Sequence, residues 1–185
     1  SKKIIYDLDD FIVRFPKYSG SVITDEKREN LLFHFANSDC VTVATKKLFD
    51  IITKEVNLGN FVFVPNGFNI KRHTENAKPR PAKTKIVFTN ADALKVESFK
   101  EGFFSAVNTI LREFPEIELD VFADPNSDVS HFVRYNHMGS IDWFEHKKLL
   151  AENGYSIGLV PLGGDEDDDA WLFNSCKSPI KFLEY

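Results

Sequence analysis

Cysteine is scarce in this sequence of 185 residues: Cys40 and Cys176 are the two, and they lack the paired spacing of a thiolate metal site. Such usage fits a reducing compartment. Positive charge is in deficit as well, with a formal net charge of −5 at pH 7, so no field favours the backbone of a nucleic acid. A phosphate-bearing ligand would need a local site. No apolar run approaches the ~20 residues that span a bilayer. Ser1-Lys2-Lys3 is not followed by the apolar core of a signal peptide. The expected setting is cytoplasmic, with peripheral membrane association left open. There is no Gly-x-Ser-x-Gly elbow, no Walker A loop and no internal repeat. His34, His73, His131, His137 and His146 are scattered without ligand spacing, so they read as surface or satisfied core groups.

What the sequence does have is apolar residues at 43% and eighteen phenylalanines, the material of a globular core. These fall into alternating patterns. Lys3 to Leu8 (KIIYDL) predicts a buried strand. Thr24-Asp25 opens a helix to residue 37 with Leu31, Leu32, Phe35 and Ala36 on one side. Cys40 to Ala44 is a short β-branched strand. Thr45 caps a helix to Val56, with Leu48, Ile51, Ile52 and Val56 at helical spacing. Phe61 to Val64 is a strand closed by the turn Pro65-Asn66-Gly67.

Residues 69–83 are polar, basic and proline-containing, as in an interdomain linker. The alternation then restarts. A strand is predicted at 85–88, and a helix is marked by Phe99, Phe103, Ala106, Val107, Ile110, Leu111 and Phe114. Strands follow at 118–123 and within 131–141, then a helix over 142–153 ending at Gly154, and a buried strand at 156–162. The run Asp165-Glu166-Asp167-Asp168-Asp169 reads as a solvated loop rather than a cation site. Strand–helix alternation predicts an α/β protein with parallel sheets. The linker divides it into residues 1–68 and 84–185. Each part has fewer strands than the five or six usual for a doubly wound sheet, so the chain is expected to be part of a longer protein.

The segment Phe173-Asn174-Ser175-Cys176-Lys177-Ser178-Pro179-Ile180-Lys181-Phe182-Leu183-Glu184-Tyr185 concentrates the chemistry. Ser178 then Pro179 is the arrangement that starts a helix, and a helix start offers N–H groups and partial positive charge to a phosphate. Lys177 stands beside that start; Lys181 and Glu184 project from nearly one face. The plainer account is a well-capped surface helix with a weak ion pair.

These segments resemble retaining glycosyltransferases of the GT-B fold, in the large family of polysaccharide and glycan transferases. NSCKSPIKFLEY is similar to that family's donor-site segment, SIGLVPL to the strand before it, and FVFVPNGFN to the turn closing the acceptor half. IIYDLDD and DCVTVATKKL look like parts of that half. The resemblance implies two Rossmann-like parallel-sheet units, both incomplete, with residues 1–68 on the acceptor side and 84–185 on the donor side. It implies transfer of a sugar from a nucleotide-diphosphate donor to a glycan or lipid-linked acceptor, without a metal cofactor. Glu184 would hold the ribose hydroxyls, and Ser178, Pro179 and Ile180 would cradle the diphosphate with Lys177 and Lys181. The family's second glutamate falls on Cys176, with Asn174 and Lys177 nearby as replacements. An arginine–lysine pair falls on Asn90 and Lys95, leaving Lys95 for the diphosphate and Lys100 as its substitute. The loop Met138-Gly139-Ser140-Ile141 would meet the base. The resemblance names no catalytic residue.

Two other readings stand beside it. Asp7-Leu8-Asp9-Asp10 after a strand resembles haloacid-dehalogenase-type phosphatases, in which Asp7 would attack phosphorus, Asp9 would act as acid/base and Mg²⁺ would bridge the carboxylates. Thr89-Asn90 and Gly164-Asp165, with Asp168 or Asp169, would supply that family's later motifs. That enzyme, however, needs a cap domain where residues 40–68 continue a β-α-β pattern. A non-catalytic nucleotide-sugar-binding module is the third reading.

Overall fold

A computed structural model describes residues 2–16, 21–67, 83–89, 102–125, 129–162 and 168–179. They fall into two compact units, the first within residues 1–67 and 164–179, the second within 68–163.

In the first unit, β1 (Ile5–Leu8), β2 (Cys40–Val43) and β3 (Phe61–Phe63) form a parallel sheet in that order. The connections are α1 (Asp25–Asn37) and α2 (Lys46–Val56). Both helices start where the sequence places a threonine cap: Thr24 accepts from Lys27 N at 3.3 Å, and Thr45 from Leu48 N at 3.2 Å. Leu31 and Phe35 of α1 join Leu48 and Ile52 of α2, Val41, Val43 and Phe11 in one apolar core. Ala36 points away from it.

The expectation of a buried first strand needs correction. Ile5 is 64% exposed, and Val62 and Phe63 of β3 are exposed too. Among the described residues β1 and β3 are the edges of a three-stranded sheet, so side chains fit for a covered strand face outward there.

The second unit holds β4 (Lys85–Thr89), α3 (Gly102–Glu113), β5 (Glu118–Phe122), β6 (Asn136–His137), α4 (Trp143–Asn153) and β7 (Ile157–Leu159). Its strands are parallel in the order β6-β5-β4-β7. The chain thus runs outward from β4 through β5 to β6, then returns to β4's other side. That reversal makes the carboxyl ends of β4 and β7 a topological switch point. Asp142 caps α4 by accepting from Phe144 N and Glu145 N, and Gly154 ends it with φ 63°. In α3 the buried face is Phe104, Val107 and Leu111, whereas Ile110 and Phe114 are exposed, so the helix sits rotated from the face its full apolar set suggests. Strand β7, expected buried, is a half-exposed edge among the described residues.

The acidic run also departs from its reading as a loop throughout. Asp168 and Asp169 begin α5 (Asp168–Ser175), and the carboxylate of Asp169 lies in the first turn, at the positive end of the helix dipole. This helix belongs to the first unit, whereas the sequence reading put residues 84–185 in one part. Leu172 and Phe173 lie against the first core, Cys176 is buried in it, and Arg14 Nε is 3.3 Å from Asp169. The linker, apart from Lys83, lies outside the described residues, as do Asp165, Glu166 and Asp167. No described helix is long and apolar enough to cross a membrane.

Candidate functional site

Parallel sheets collect ligands at the carboxyl ends of their strands, because successive βα loops and helix N-termini converge there. In the second unit that end holds a pocket of about 210 Å³. Thr89 ends β4 and Phe122 ends β5, with Ala123 next; Gly139, Ser140 and Ile141 follow β6; Trp143 and His146 come from the first turn of α4. The loop Met138-Gly139-Ser140-Ile141 was singled out in the sequence, and three of its four residues, Gly139, Ser140 and Ile141, line the pocket. Gly139 has φ 74°, which a glycine adopts without strain. Met138 N donates to Val121 O at 2.9 Å, extending the β6–β5 ladder up to the pocket's rim.

The walls are aromatic with a few polar groups. His146 is 8% exposed, with Nε2 3.0 Å from Thr89 Oγ1 and its ring edge-on to Phe122 at 5.1 Å. Trp143 is half exposed, and Lys147 Nζ lies over its ring 3.2 Å from the centroid. An apolar, aromatic cleft with a hydroxyl and an imidazole suits a flat heterocycle that stacks and forms hydrogen bonds at its edge. Its volume is below the ~300–1,000 Å³ of pockets for drug-sized ligands. It therefore fits one ring-sized part of a larger ligand.

Sequence reasoning missed Thr89, Phe122, Ala123, Trp143 and His146 as pocket residues. The signal was their position at strand ends and at a helix start, since nothing in their identity marks them. His146 had been read as a satisfied core or surface group, and its burial and contact with Thr89 agree with that.

The segment from Asn174 to Pro179 is held by the first unit. Cys176 O accepts from Thr45 Oγ1 at 2.8 Å, so the hydroxyl that caps α2 also fixes this carbonyl. Ser178 Oγ accepts from Asn66 Nδ2 at 3.3 Å, and the same amide donates to Asp9 Oδ1 at 3.2 Å. Lys177 Nζ rests over the Phe173 ring at 4.9 Å, and Lys177 N donates to Asn174 O at 3.2 Å. Burial raises the Cys176 thiol above its ordinary pKa, so this position carries no charge towards a sugar. Lys95, Lys100, Ile180, Lys181 and Glu184 lie outside the described residues.

The phosphatase arrangement is not formed. Asp7 sits on β1 of one sheet and Thr89 on β4 of the other, whereas that chemistry needs both on one sheet edge. Thr42 Oγ1 donates to Asp7, and Asp9 is engaged by Asn66. Among the described residues no three His, Cys, Asp or Glu side chains gather as a metal site.

No family model matches the sequence, and no curated protein matches it. Solved structures do. TarM is similar at a TM-score of 0.55 and 8% identity, covering 84% of this chain and 31% of its own. The trehalose-6-phosphate synthase OtsA is similar at 0.56 and 14% identity, covering 96% of this chain and 50% of its own. Both are GT-B glycosyltransferases. The fold is thus the Rossmann-like α/β arrangement of GT-B proteins, with both sheets incomplete. The chain spans half or less of the length of these structures.

Proposed function

We propose that this chain is part of a glycosyltransferase that takes its sugar from a nucleotide-diphosphate donor. The observation that carries the reading is the aromatic pocket at the carboxyl ends of β4 and β5, completed by Gly139, Ser140 and Ile141, in a fold that glycosyltransferases share. In this reading the second unit receives the base of the donor. The nucleobase stacks on Trp143 with its edge towards Thr89 and His146.

Independently of that pocket, the sequence resemblance proposes Lys95, Lys177, Lys181 and the backbone from Ser178 to Ile180 for a diphosphate, with Glu184 on a ribose and Asn174 towards a sugar. Breaking a sugar–diphosphate bond leaves negative charge on the departing phosphate and an oxocarbenium-like sugar. Preorganised cations and N–H groups at the leaving group lower that barrier without a metal. A glycan or lipid-linked acceptor and a cytoplasmic setting belong to the same proposal.

Calorimetry with UDP, GDP and ADP and their nucleosides tests it. One diphosphate should bind, and Glu184→Ala should weaken that diphosphate and its nucleoside alike. Loss of a charged hydrogen bond of ~1.5–3 kcal/mol corresponds to about tenfold to a hundredfold. Lys177→Ala and Lys181→Ala should weaken the diphosphate more than the nucleoside. Equal losses in the lysine variants would remove the phosphate assignment. Binding without any turnover of a matching sugar donor would favour the non-catalytic module.

A further inference from the structure

Trp143 differs from Phe122, the other large aromatic wall of the pocket. Phe122 is 3% exposed and held by the core, whereas Trp143 is 54% exposed. Close packing fixes the first ring in one rotamer but has little hold on the second. A ring that offers its face to a flat ligand needs a set orientation, since stacking is lost when the plane turns away. Something other than core packing must hold this indole.

Two neighbours on α4 do so. Lys147 lies four residues on, one turn along the same face, and its Nζ stands 3.2 Å from the indole centroid. At that distance the ammonium sits over the negative face of the ring, where a cation is attracted. The Phe144 ring meets the indole almost at right angles, with centroids 5.1 Å apart and an interplanar angle of 79°. The Asp142 cap accepts from Phe144 N and Glu145 N and fixes the backbone of this turn, so the freedom that remains is in the side chains. One face of the indole is thus taken by a cation, and a flat ligand has the opposite face. Lys147 itself is not among the described residues that line the pocket.

We propose that Lys147 is a positioning residue for the base-stacking ring: its ammonium, held over one face of Trp143, fixes the plane that the opposite face offers to a nucleobase. This rests on the donor reading above and extends it to a residue outside the pocket wall. Lys147 acts through the indole, so its effect is the same for a nucleoside and for its diphosphate. A lysine that met the phosphates would favour the diphosphate instead.

The test uses the intact chain carrying Trp171→Phe, in which Trp143 is the only indole. Lys147→Gln removes the charge at similar length and helix propensity, and Lys147→Arg restores a cation that stacks on an indole. Time-resolved fluorescence anisotropy of Trp143 should decay faster on the nanosecond scale in Lys147→Gln and recover in Lys147→Arg. Calorimetry is run with whichever of UDP, GDP and ADP the Trp171→Phe protein binds, and with the matching nucleoside. Lys147→Gln should weaken both ligands about twofold to fivefold, the worth of an exposed cation–π contact, and Lys147→Arg should regain the affinity. Combined with Trp143→Ala, Lys147→Gln should add no further loss, since its route to the ligand is gone. Unchanged anisotropy, unchanged affinity, a larger loss for the diphosphate than for the nucleoside, or additive effects with Trp143→Ala would overturn the positioning role while leaving the donor reading intact. If the protein binds none of the three diphosphates, or if Trp143→Ala leaves binding unchanged, the base pocket fails and the positioning role falls with it.

Discussion

Asp120 provides a sharp test of how the second unit is held together. It lies in the middle of β5 at 3% exposure, and its carboxylate accepts from Tyr155 Oη at 2.7 Å and from Asn136 Nδ2 at 2.7 Å. Lys85 Nζ stands 3.8 Å away. One buried acid thereby ties together β4, β5, β6 and the approach to β7. Asp120→Ala would take the buried acceptor from the Tyr155 hydroxyl and the Asn136 amide, and would leave Lys85 paired with Glu118 at 3.6 Å. Two charged hydrogen bonds and a partly buried ion pair put the loss at about 3–5 kcal/mol.

With a urea slope of about 1–3 kcal/mol per M, that moves the unfolding midpoint down by roughly 1–5 M. Glu118 is the control two residues earlier on the same strand. Its ion pairs with Lys83 and Lys85 are 3.9 and 3.6 Å long, against hydrogen bonds of 2.7 Å at Asp120, and its side chain is 40% exposed. Glu118→Ala should therefore cost about 1 kcal/mol or less. Urea denaturation followed by circular dichroism reads both variants. Equal shifts, or an Asp120→Ala shift as small as the surface pair's, would refute the claim that a buried acceptor organises this sheet.

Trp143→Ala should weaken a bound nucleoside and its diphosphate equally, by about fivefold to a hundredfold for the ~1–3 kcal/mol of base stacking, with little change in melting temperature; calorimetry and a thermal scan check this. Arg134 Nη2 donates to the carbonyls of Leu111, Phe114 and Ile117, so Arg134→Ala should destabilise by about 1–3 kcal/mol, measured by urea denaturation. The raised pKa of Cys176 means that the folded protein favours the neutral thiol. That stability is present below the ordinary value of 9.0 and is lost as pH rises through the folded pKa. Iodoacetamide at pH 8 should accordingly modify Cys40 well before Cys176, with the difference vanishing in urea; equal rates in the folded protein would contradict the burial.

Much of the fold was legible because local and tertiary signals agree. Thr24, Thr45, Asp142 and Gly154 mark helix ends that the structure keeps, and the β-branched runs at Cys40–Val43 and Lys85–Thr89 are central strands. Burial was less legible. KIIYDL and SIGLVPL carry the apolar content of covered strands, but sheet order decides exposure, and periodicity does not report order. Helix α5 was hidden because an acidic run reads alike as a solvated loop and as a favourable first turn.

The candidate site divides in the same way. Gly139, Ser140 and Ile141 carry a turn signal and were found by resemblance. Thr89, Phe122 and His146 are ordinary residues made important by ending parallel strands or by opening a helix beside them. The grouping of Asn174–Pro179 with the first unit depends on Thr45 and Asn66, more than a hundred residues earlier in the chain. No sequence window reports such a contact.

The central claim is that the pocket beside Trp143 receives the base of a nucleotide-diphosphate donor. The chain has two tryptophans, and Trp171, on α5, is exposed. A Trp171→Phe variant leaves Trp143 as the sole indole reporter. Titrated with UDP, GDP and ADP, its emission should change saturably for one of them, and the matching nucleoside should produce the same end-point change at higher concentration. Unchanged Trp143 emission across a titration in which calorimetry records diphosphate binding would contradict the claim.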